Sequence, residues 1–230
     1  MEIASFDPAD VVAALAPLVG EERAARIEAV AAGRLAGVVA VLEDLRDPHN
    51  AGAALRSAEA MGVLGVYVIS SRQRFRTSPR VTQGCEKWLE VHRHGSAATC
   101  ATALRARGVK LLAAVPEARL TVEELDPFTP TALAFGNEHT GLSPELRALA
   151  DGEFRIPMHG FSQSLNVSVS VAVTLHVRSE ARRRALGRAS DLDGDALLAL
   201  RARYYARDVR NATLVVERFI DDRRRSTPPR

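Results

Sequence analysis

The sequence predicts an α/β fold in which a parallel sheet carries helices on both faces. Four short apolar runs of strand length occupy residues 38–42, 65–69, 110–115 and 131–135. Helical stretches lie between them at residues 51–61 and 96–107, and each is followed by a glycine, which favours the left-handed end of a helix. Apolar strands that alternate with helices are typical of parallel sheets that are buried on both faces.

Both ends of the chain are predicted to be helical. Residues 8–19 and 21–32 carry apolar stripes, and residues 196–210 form a further helical stretch after a polar break at 190–195. Residues 221–230 are charged and end in Thr-Pro-Pro-Arg, which predicts disorder. We therefore predict an N-terminal helical extension over residues 1–36, a central α/β domain over 37–180, and an arginine-rich C-terminal extension over 181–230.

Composition excludes several classes of protein. The chain has 230 residues, of which 47% are hydrophobic and 26% charged, so it is neither wholly disordered nor fibrous. No apolar run approaches the roughly 18 residues of a membrane span, and Glu2, Asp7 and Asp10 interrupt the N-terminus, which excludes a signal peptide. Cys85 and Cys100 are too few for a disulfide framework. We expect a soluble, cytoplasmic protein without a membrane partner.

Arginine dominates the basic residues. Only two of the 31 basic residues are lysine, and the planar guanidinium suits phosphate better than an ammonium does. The arginines cluster at residues 72–80, 178–188, 201–210 and 223–225. Such clusters neutralise nucleic-acid backbones. An equally valid interpretation is a solvated surface in an organism whose codons favour arginine.

The loops at the carboxyl ends of the strands are the expected place for a ligand. The first such loop belongs to the segment at residues 43–58, EDLRDPHNAGAALRSA. Asn50 is well placed to cap a helix, and Arg56 follows about two turns into it. The simplest interpretation makes Asn50 an N-cap and Arg56 a surface residue.

A second segment, FGNEHTGLSPE, follows the strand at 131–135. Gly136 and Gly141 bracket a short loop in which backbone can approach a ligand closely, and Glu138 would face that ligand. Ser143 as N-cap and Pro144 at the first helical position predict a helix through residue 149. The alternative is a tight turn with a solvated glutamate.

A third segment, FRIPMHGFSQSLNVSVSVAV, covers residues 154–173. Its valines alternate with small residues, and this periodicity predicts a strand, with Ser164 and Asn166 as loop and ladder residues. Three histidines, His49, His139 and His159, lie in or beside the segments, but their spacing is not that of metal ligands. We expect no metal.

In this order and spacing, the three segments resemble the three motifs of the SpoU branch of the knotted SPOUT methyltransferases. Within that branch they are most similar to the tRNA guanosine-18 2'-O-methyltransferases. The similarity includes residues 84–88 and 149–152 and extends over residues 25–210. The resemblance implies that the α/β domain ends in a C-terminal deep trefoil knot. It also implies that residues 165–180 form a helix, against their strand-like periodicity.

The activity that the resemblance implies is methylation of an RNA ribose 2'-hydroxyl by S-adenosylmethionine, at a guanosine of the tRNA D-loop, by a homodimer. Ribosomal RNA as the substrate and a non-catalytic RNA-binding protein are the alternatives. A Rossmann dehydrogenase is excluded, because Asp-Pro-His-Asn stands where the glycine-rich turn would be.

The resemblance also assigns residues to roles. The catalytic set is Arg56, Asn50, Ser164, Glu138 and Asn166, and the cofactor set is Gly136, Ile156, Leu165, Ala114 and Met158. The flanking helices supply arginines to RNA, namely Arg23, Arg26, Arg34, Arg178, Arg182, Arg183 and Arg184. Because a guanidinium barely deprotonates, we expect Arg56 to clamp a substrate phosphate and polarise the hydroxyl.

Overall fold

The structure is a computed structural model that describes residues 3–71 and 74–226. Arg72 of the first arginine cluster and residues 227–230 of the predicted tail lie outside the described residues. The chain forms two compact units, residues 35–191 and residues 1–34 with 192–230. The predicted domain boundaries at residues 36 and 180 stay predictions.

The larger unit is built on a seven-stranded sheet in which every paired strand runs parallel, in the order β3-β2-β1-β6-β4-β7-β5. The strands are β1 (Leu35–Glu43), β2 (Val63–Ile69), β3 (Glu90–His94), β4 (Lys110–Ala114), β5 (Leu120–Thr121), β6 (Thr131–Phe135) and β7 (Gly152–Arg155). The four predicted strands are confirmed as β1, β2, β4 and β6. The sequence did not predict β3, β5 and β7, which are short or only partly buried.

The helices of both units are α1 (Pro8–Leu15), α2 (Glu21–Ala31), α3 (Pro48–Ala60), α4 (Pro79–Thr82), α5 (Ala97–Ala106), α6 (Pro144–Leu149), α7 (Val167–Leu186), α8 (Gly194–Asp208) and α9 (Ala212–Ser226). Side chains along β1 alternate between two cores. Val38, Ala40 and Leu42 pack with α3 and α7, while Val39 and Val41 pack with α5 and α6. The sheet therefore has helices on both faces, as predicted.

Helix α7 corrects the prediction made from periodicity. Its valines alternate like those of a strand, yet Val171 and Leu175, one helical turn apart, are buried in the core with α3 and β1. Tertiary packing thus overrides the poor helix propensity of valine. The helix implied by the resemblance is confirmed, and it continues beyond residue 180 to Leu186, where Gly187 takes a left-handed conformation (φ 63°).

The smaller unit is a set of packed helices, in which α8 contacts α1, α2 and α9. Leu15 and Tyr204 are buried in it. The predicted helices at both ends are confirmed. Helix α9 continues to Ser226, so the predicted disorder is wrong for residues 221–226.

None of the helices that the structure describes is long and apolar enough to cross a membrane. No group of three or more His, Cys, Asp or Glu side chains among the described residues could hold a metal ion.

Candidate active site

The loops at one edge of the sheet enclose a cleft of about 490 Å³. They meet there because β4, β6 and β7 run parallel, so their carboxyl ends lie at the same edge. The five residues of the predicted cofactor set all line this cleft, and so do three of the predicted catalytic set, namely Glu138, Ser164 and Asn166. The volume is in the usual range for a cofactor site. Apolar side chains such as Ile156 and Leu165 and the backbone at Gly136 suit a nucleoside bound by packing.

The loop after β6 is folded back tightly against itself. Asn137 and Gly141 exchange backbone hydrogen bonds of 3.2 and 3.1 Å, and the Asn137 side chain accepts from the N–H groups of His139 and Thr140. A Cβ on Gly136 would lie 1.9 Å from the carbonyl carbon of Gly141, where no side chain fits. Glycine at position 136 is therefore required by the close approach of the two backbone segments.

Glu43, which the sequence analysis did not select, anchors the far end of this loop. It stands at the carboxyl end of β1, is only 3% exposed, and accepts hydrogen bonds from the Ser143 N–H (2.7 Å) and hydroxyl (2.6 Å). Ser143 in turn caps α6 by accepting from the Leu146 N–H, as predicted. A charged residue ending an apolar strand was the available signal for Glu43.

A chain of hydrogen bonds joins the three sequence segments. The Asn50 side-chain amide donates to Glu138 (2.7 Å), and the Asn166 side-chain amide donates to the Oδ1 atom of Asn50 (3.1 Å). Asn166 also caps α7 by accepting from the Ser168 N–H. Asn50 is not the N-cap of α3, because Asp47 caps that helix by accepting from the His49 N–H. Asn50 lies inside the first turn, which frees its side chain to bridge the other two segments.

Glu138 supplies the carboxylate in this chain of hydrogen bonds. Partial burial opposes its ionisation, but hydrogen bonds from the Asn50 side chain and from the backbone N–H groups of Glu138, Arg46 and Asp47 outweigh burial, and the pKa of Glu138 is lowered. A carboxylate with a lowered pKa is a weak base. Glu138 is thus suited to hold Asn50 in place rather than to accept a proton.

Arg56 is the one residue of the predicted catalytic set that neither takes part in these hydrogen bonds nor lines the cleft. It is exposed on α3, six residues after Asn50. At about 100° per residue, six residues turn the side chain roughly 120° away around the helix. Arg56 therefore points away from the side of α3 that carries Asn50, and it does not line the cleft.

Three of the predicted RNA-binding arginines are buried, which corrects their assignment. Arg178 is 2% exposed and donates to the carbonyls of Leu125 (2.5 Å) and Asp126 (2.7 Å). Arg182 is 7% exposed and is paired with Asp191 at 2.5 Å. Arg34 is 1% exposed, with its guanidinium carbon 5.8 Å from the centre of the Tyr204 ring. These guanidinium groups serve the fold, and RNA does not reach them.

The other predicted RNA-binding arginines lie at the surface to different degrees. Arg23 makes a bidentate pair with Asp208, and Arg183 is half-buried and bonded to Glu180 and to the Met61 carbonyl. Arg26 and Arg184 are exposed. The assignment of these four to RNA stays a prediction.

Comparison with known proteins identifies the family. Residues 37–176 match the profile of the SpoU rRNA Methylase family. The chain belongs to this family. The resemblance seen in the three segments is thereby confirmed, and the matched range begins within β1 and ends within α7.

Relatives and solved structures of the SpoU family extend the comparison. A tRNA (guanosine(18)-2'-O)-methyltransferase of Thermus thermophilus is 38% identical over 72% of this chain and 84% of its own. The crystal structure of the A. aeolicus TrmH/SpoU tRNA modifying enzyme is 28% identical, has a TM-score of 0.73, and covers 83% of this chain and 98% of its own. AviRb from Streptomyces viridochromogenes, solved in complex with AdoMet, is 27% identical with a TM-score of 0.56, over 65% of this chain and 58% of its own.

Proposed function

We propose that this protein is an S-adenosylmethionine-dependent tRNA ribose 2'-O-methyltransferase that acts on a guanosine of the D-loop. The observation that carries the proposal is the chain of hydrogen bonds from Glu138 through Asn50 to Asn166, beside a cleft of cofactor size. The names of the relatives support tRNA as the substrate and guanosine as the methylated nucleotide. Cytoplasmic location belongs to the same proposal.

The cofactor supplies a methyl group on a positively charged sulfur, so the protein has to align the two reactants and remove one proton. Gly136, Ile156 and Leu165 would hold the cofactor by backbone and apolar contact, with Ala114 and Met158 completing the wall. The predicted set therefore fits the group. The structure adds Asn137 and Phe154 to the cleft lining.

Asn50, Ser164 and Asn166 are proposed to orient the ribose. Asn50 and Asn166 are held by the bonds described above, and Ser164 lines the cleft. These residues would align the 2'-oxygen with the methyl group that the bound cofactor would supply. The hydroxyl proton passes to an oxygen of the substrate phosphate, which Arg56 clamps. Neither Arg56 nor Glu138 takes the proton, because the first stays charged and the second has a lowered pKa.

A homodimer is part of this proposal, because Arg56 does not line the cleft of its own chain. Helix α7 exposes two valines at four-residue spacing, Val169 and Val173. Residues at this spacing share one face of a helix, and such a face suits a second copy of the chain. Arg56 of one subunit would then complete the cleft of its partner.

The deep trefoil knot of the C-terminal part is likewise proposed. It is supported by membership of the family and by helix α7, which follows directly on the cleft-lining residues 164–166. A crystal structure that traces residues 136–186 tests it.

The activity is tested by methyl incorporation from labelled S-adenosylmethionine into unmodified tRNA and, separately, into unmodified rRNA. Labelling of tRNA is the expected result. Labelling of rRNA alone would support the methyltransferase activity and contradict tRNA as the substrate. No labelling of either RNA by a protein that still binds the cofactor would favour a non-catalytic RNA-binding protein.

The dimer has its own test, in which Arg56→Ala and Gly136→Ala variants are mixed after partial unfolding. Each variant alone is expected to be inactive, and mixed dimers should regain part of the parent activity, because one of their two sites is intact. No recovery in verified mixed dimers would contradict a site shared between subunits.

A further inference from the structure

The arginines of this chain fall into two groups by what surrounds them. Several are already engaged within the protein, such as the buried Arg178 and Arg182 and the ion-paired Arg23 and Arg147. Three arginines in the segment after β2 differ, because Arg74, Arg76 and Arg80 are exposed. Within residues 3–71 and 74–226, no ion pair or side-chain hydrogen bond engages these three.

This segment is fixed in place against α3. Phe75 is buried in the core, with the guanidinium of Arg93 over its ring at 5.4 Å. The Ser78 N–H donates to the carbonyl of Pro48, the first residue of α3 (3.1 Å). Helix α4 then packs on α3 where glycine leaves room, since a Cβ on Gly52 would lie 3.1 Å from the Cβ of Val81. The arginines therefore have a rigid support.

The same segment continues toward Arg56. The short 3-10 helix Cys85–Trp88 packs on α3, and Arg56 is near enough to Cys85 to act on the pKa of its thiol, which burial chiefly raises to about 11. Asn50 and Arg56 are about 9 Å apart along the helix axis, at 1.5 Å per residue. Residues 74–88 thus run from the first turn of α3, which carries Asn50, to the part that carries Arg56.

The charge of this surface is strongly one-sided. Residues 74–88 carry four basic side chains, Arg74, Arg76, Arg80 and Lys87, against one acidic side chain, Glu86. These residues follow β2, which runs parallel to β1 and, through β1, to β6. The segment therefore begins at the same edge of the sheet as the loops that form the cleft. Unpaired guanidinium groups on a rigid support are suited to phosphate oxygens.

We infer that Arg74, Arg76 and Arg80 form a binding surface for the RNA phosphate backbone that continues the substrate path away from Asn50 and Arg56. The inference rests on the proposed function and adds a surface that the three motifs do not include. This surface recognises phosphate rather than bases, so it positions the RNA without selecting its sequence. It takes the place of the buried arginines of α7 as the main electrostatic contact on the larger unit.

The test compares two triple variants of the full-length protein that lose the same charge. One is Arg74→Ala with Arg76→Ala and Arg80→Ala. The control is Arg105→Ala with Arg119→Ala and Arg147→Ala, on α5, after β4 and on α6. The measurements are the Kd for an unmodified tRNA transcript at several salt concentrations and the Kd for S-adenosylmethionine, which reports an intact cleft.

The first variant is expected to bind tRNA about tenfold or more weakly at physiological salt, with the slope of log K against log salt reduced by about 2. Its cofactor Kd should equal that of the parent, and the control should keep the parent slope. Replacing the same three arginines with lysine should restore most of the slope, because lysine keeps the point charge.

The possible failures are distinguishable. A parent that binds and methylates tRNA while the first variant keeps its slope and Kd would overturn this inference alone. Equal losses in the first variant and the control would also overturn it, since the effect would then be one of net charge. A parent that binds no tRNA would overturn the proposed substrate together with the inference.

Discussion

Replacing Gly136 with alanine adds a single methyl group at the most crowded point of the candidate site. The added Cβ would lie 1.9 Å from the carbonyl carbon of Gly141, 2.1 Å from its oxygen and 2.1 Å from the Leu142 nitrogen. The shortest Cβ contacts that proteins tolerate are about 3 Å, so the loop has to move by roughly 1 Å. The atoms in the way are backbone, which cannot rotate aside as a side chain can.

The size of the effect follows from this geometry. Overpacking costs about 1–3 kcal/mol, and the upper end applies where backbone must shift. If the loop can move only by distorting the cofactor site, the overpacking cost of about 3 kcal/mol is lost from the free energy of cofactor binding. This corresponds to an affinity about 100-fold lower. The loop cannot relax freely, because Glu43 holds Ser143 at its far end with two hydrogen bonds.

Titration calorimetry with S-adenosylmethionine measures this loss directly. Gly160→Ala is the matched control, because a Cβ there meets no atom within 4 Å. We expect the cofactor Kd to rise about 100-fold in Gly136→Ala and to change less than about twofold in Gly160→Ala. Circular dichroism shows whether each variant is folded. A folded Gly136→Ala protein that binds the cofactor like the parent would refute the role given to this loop.

Three further predictions concern other parts of the site and the fold. Arg56→Ala should lower turnover about 100-fold or more and leave the cofactor Kd unchanged, as single-turnover kinetics and calorimetry would show; a shifted Kd would mean that Arg56 contacts the cofactor rather than the substrate phosphate. Because the pKa of Glu138 is lowered in the folded protein, its ionised carboxylate stabilises the fold above the ordinary glutamate pKa of about 4.3, and this stabilisation is lost as pH falls through the folded pKa. Asn50→Ala should therefore lower Tm more at pH 7 than at pH 3.5. An equal loss at both pH values would contradict the pairing of Asn50 with Glu138. Arg182→Ala should cost about 3 kcal/mol in urea unfolding, because the buried Asp191 loses its cationic partner and keeps only the N–H groups of Ala36 and Gly37, and an unchanged midpoint would mean that the pair does not support the fold.

The sheet edge and the three site segments were open to prediction because they depend on local patterns. Apolar runs identify β1, β2, β4 and β6, and the positions of Ser143 and Pro144 identify the start of α6. Strand β3 escaped detection because four of its five side chains are charged or imidazole and none is fully buried. Helix α7 could be predicted only from the family resemblance, because its sequence periodicity is that of a strand and tertiary packing stabilises it as a helix.

The fate of individual arginines and asparagines depends on contacts between distant parts of the chain. Arg178 and Arg182 look like any basic cluster, and only the fold brings the carbonyls of residues 125–128 to them. Asn50 looks like an N-cap, but Asp47 takes that role three residues earlier. Its hydrogen bonds to Glu138 and Asn166 span 88 and 116 residues, which no local pattern reports.

Mapping the methylated nucleotide tests the central claim most directly. An unmodified tRNA transcript is incubated with the protein and S-adenosylmethionine, and each ribose is then examined for a 2'-O-methyl group by alkaline-resistance mapping and mass spectrometry. The account predicts one methylated ribose, at a guanosine of the D-loop, and none with Arg56→Ala. A methyl group on a base, or no methylated ribose in any tRNA tested, would contradict it.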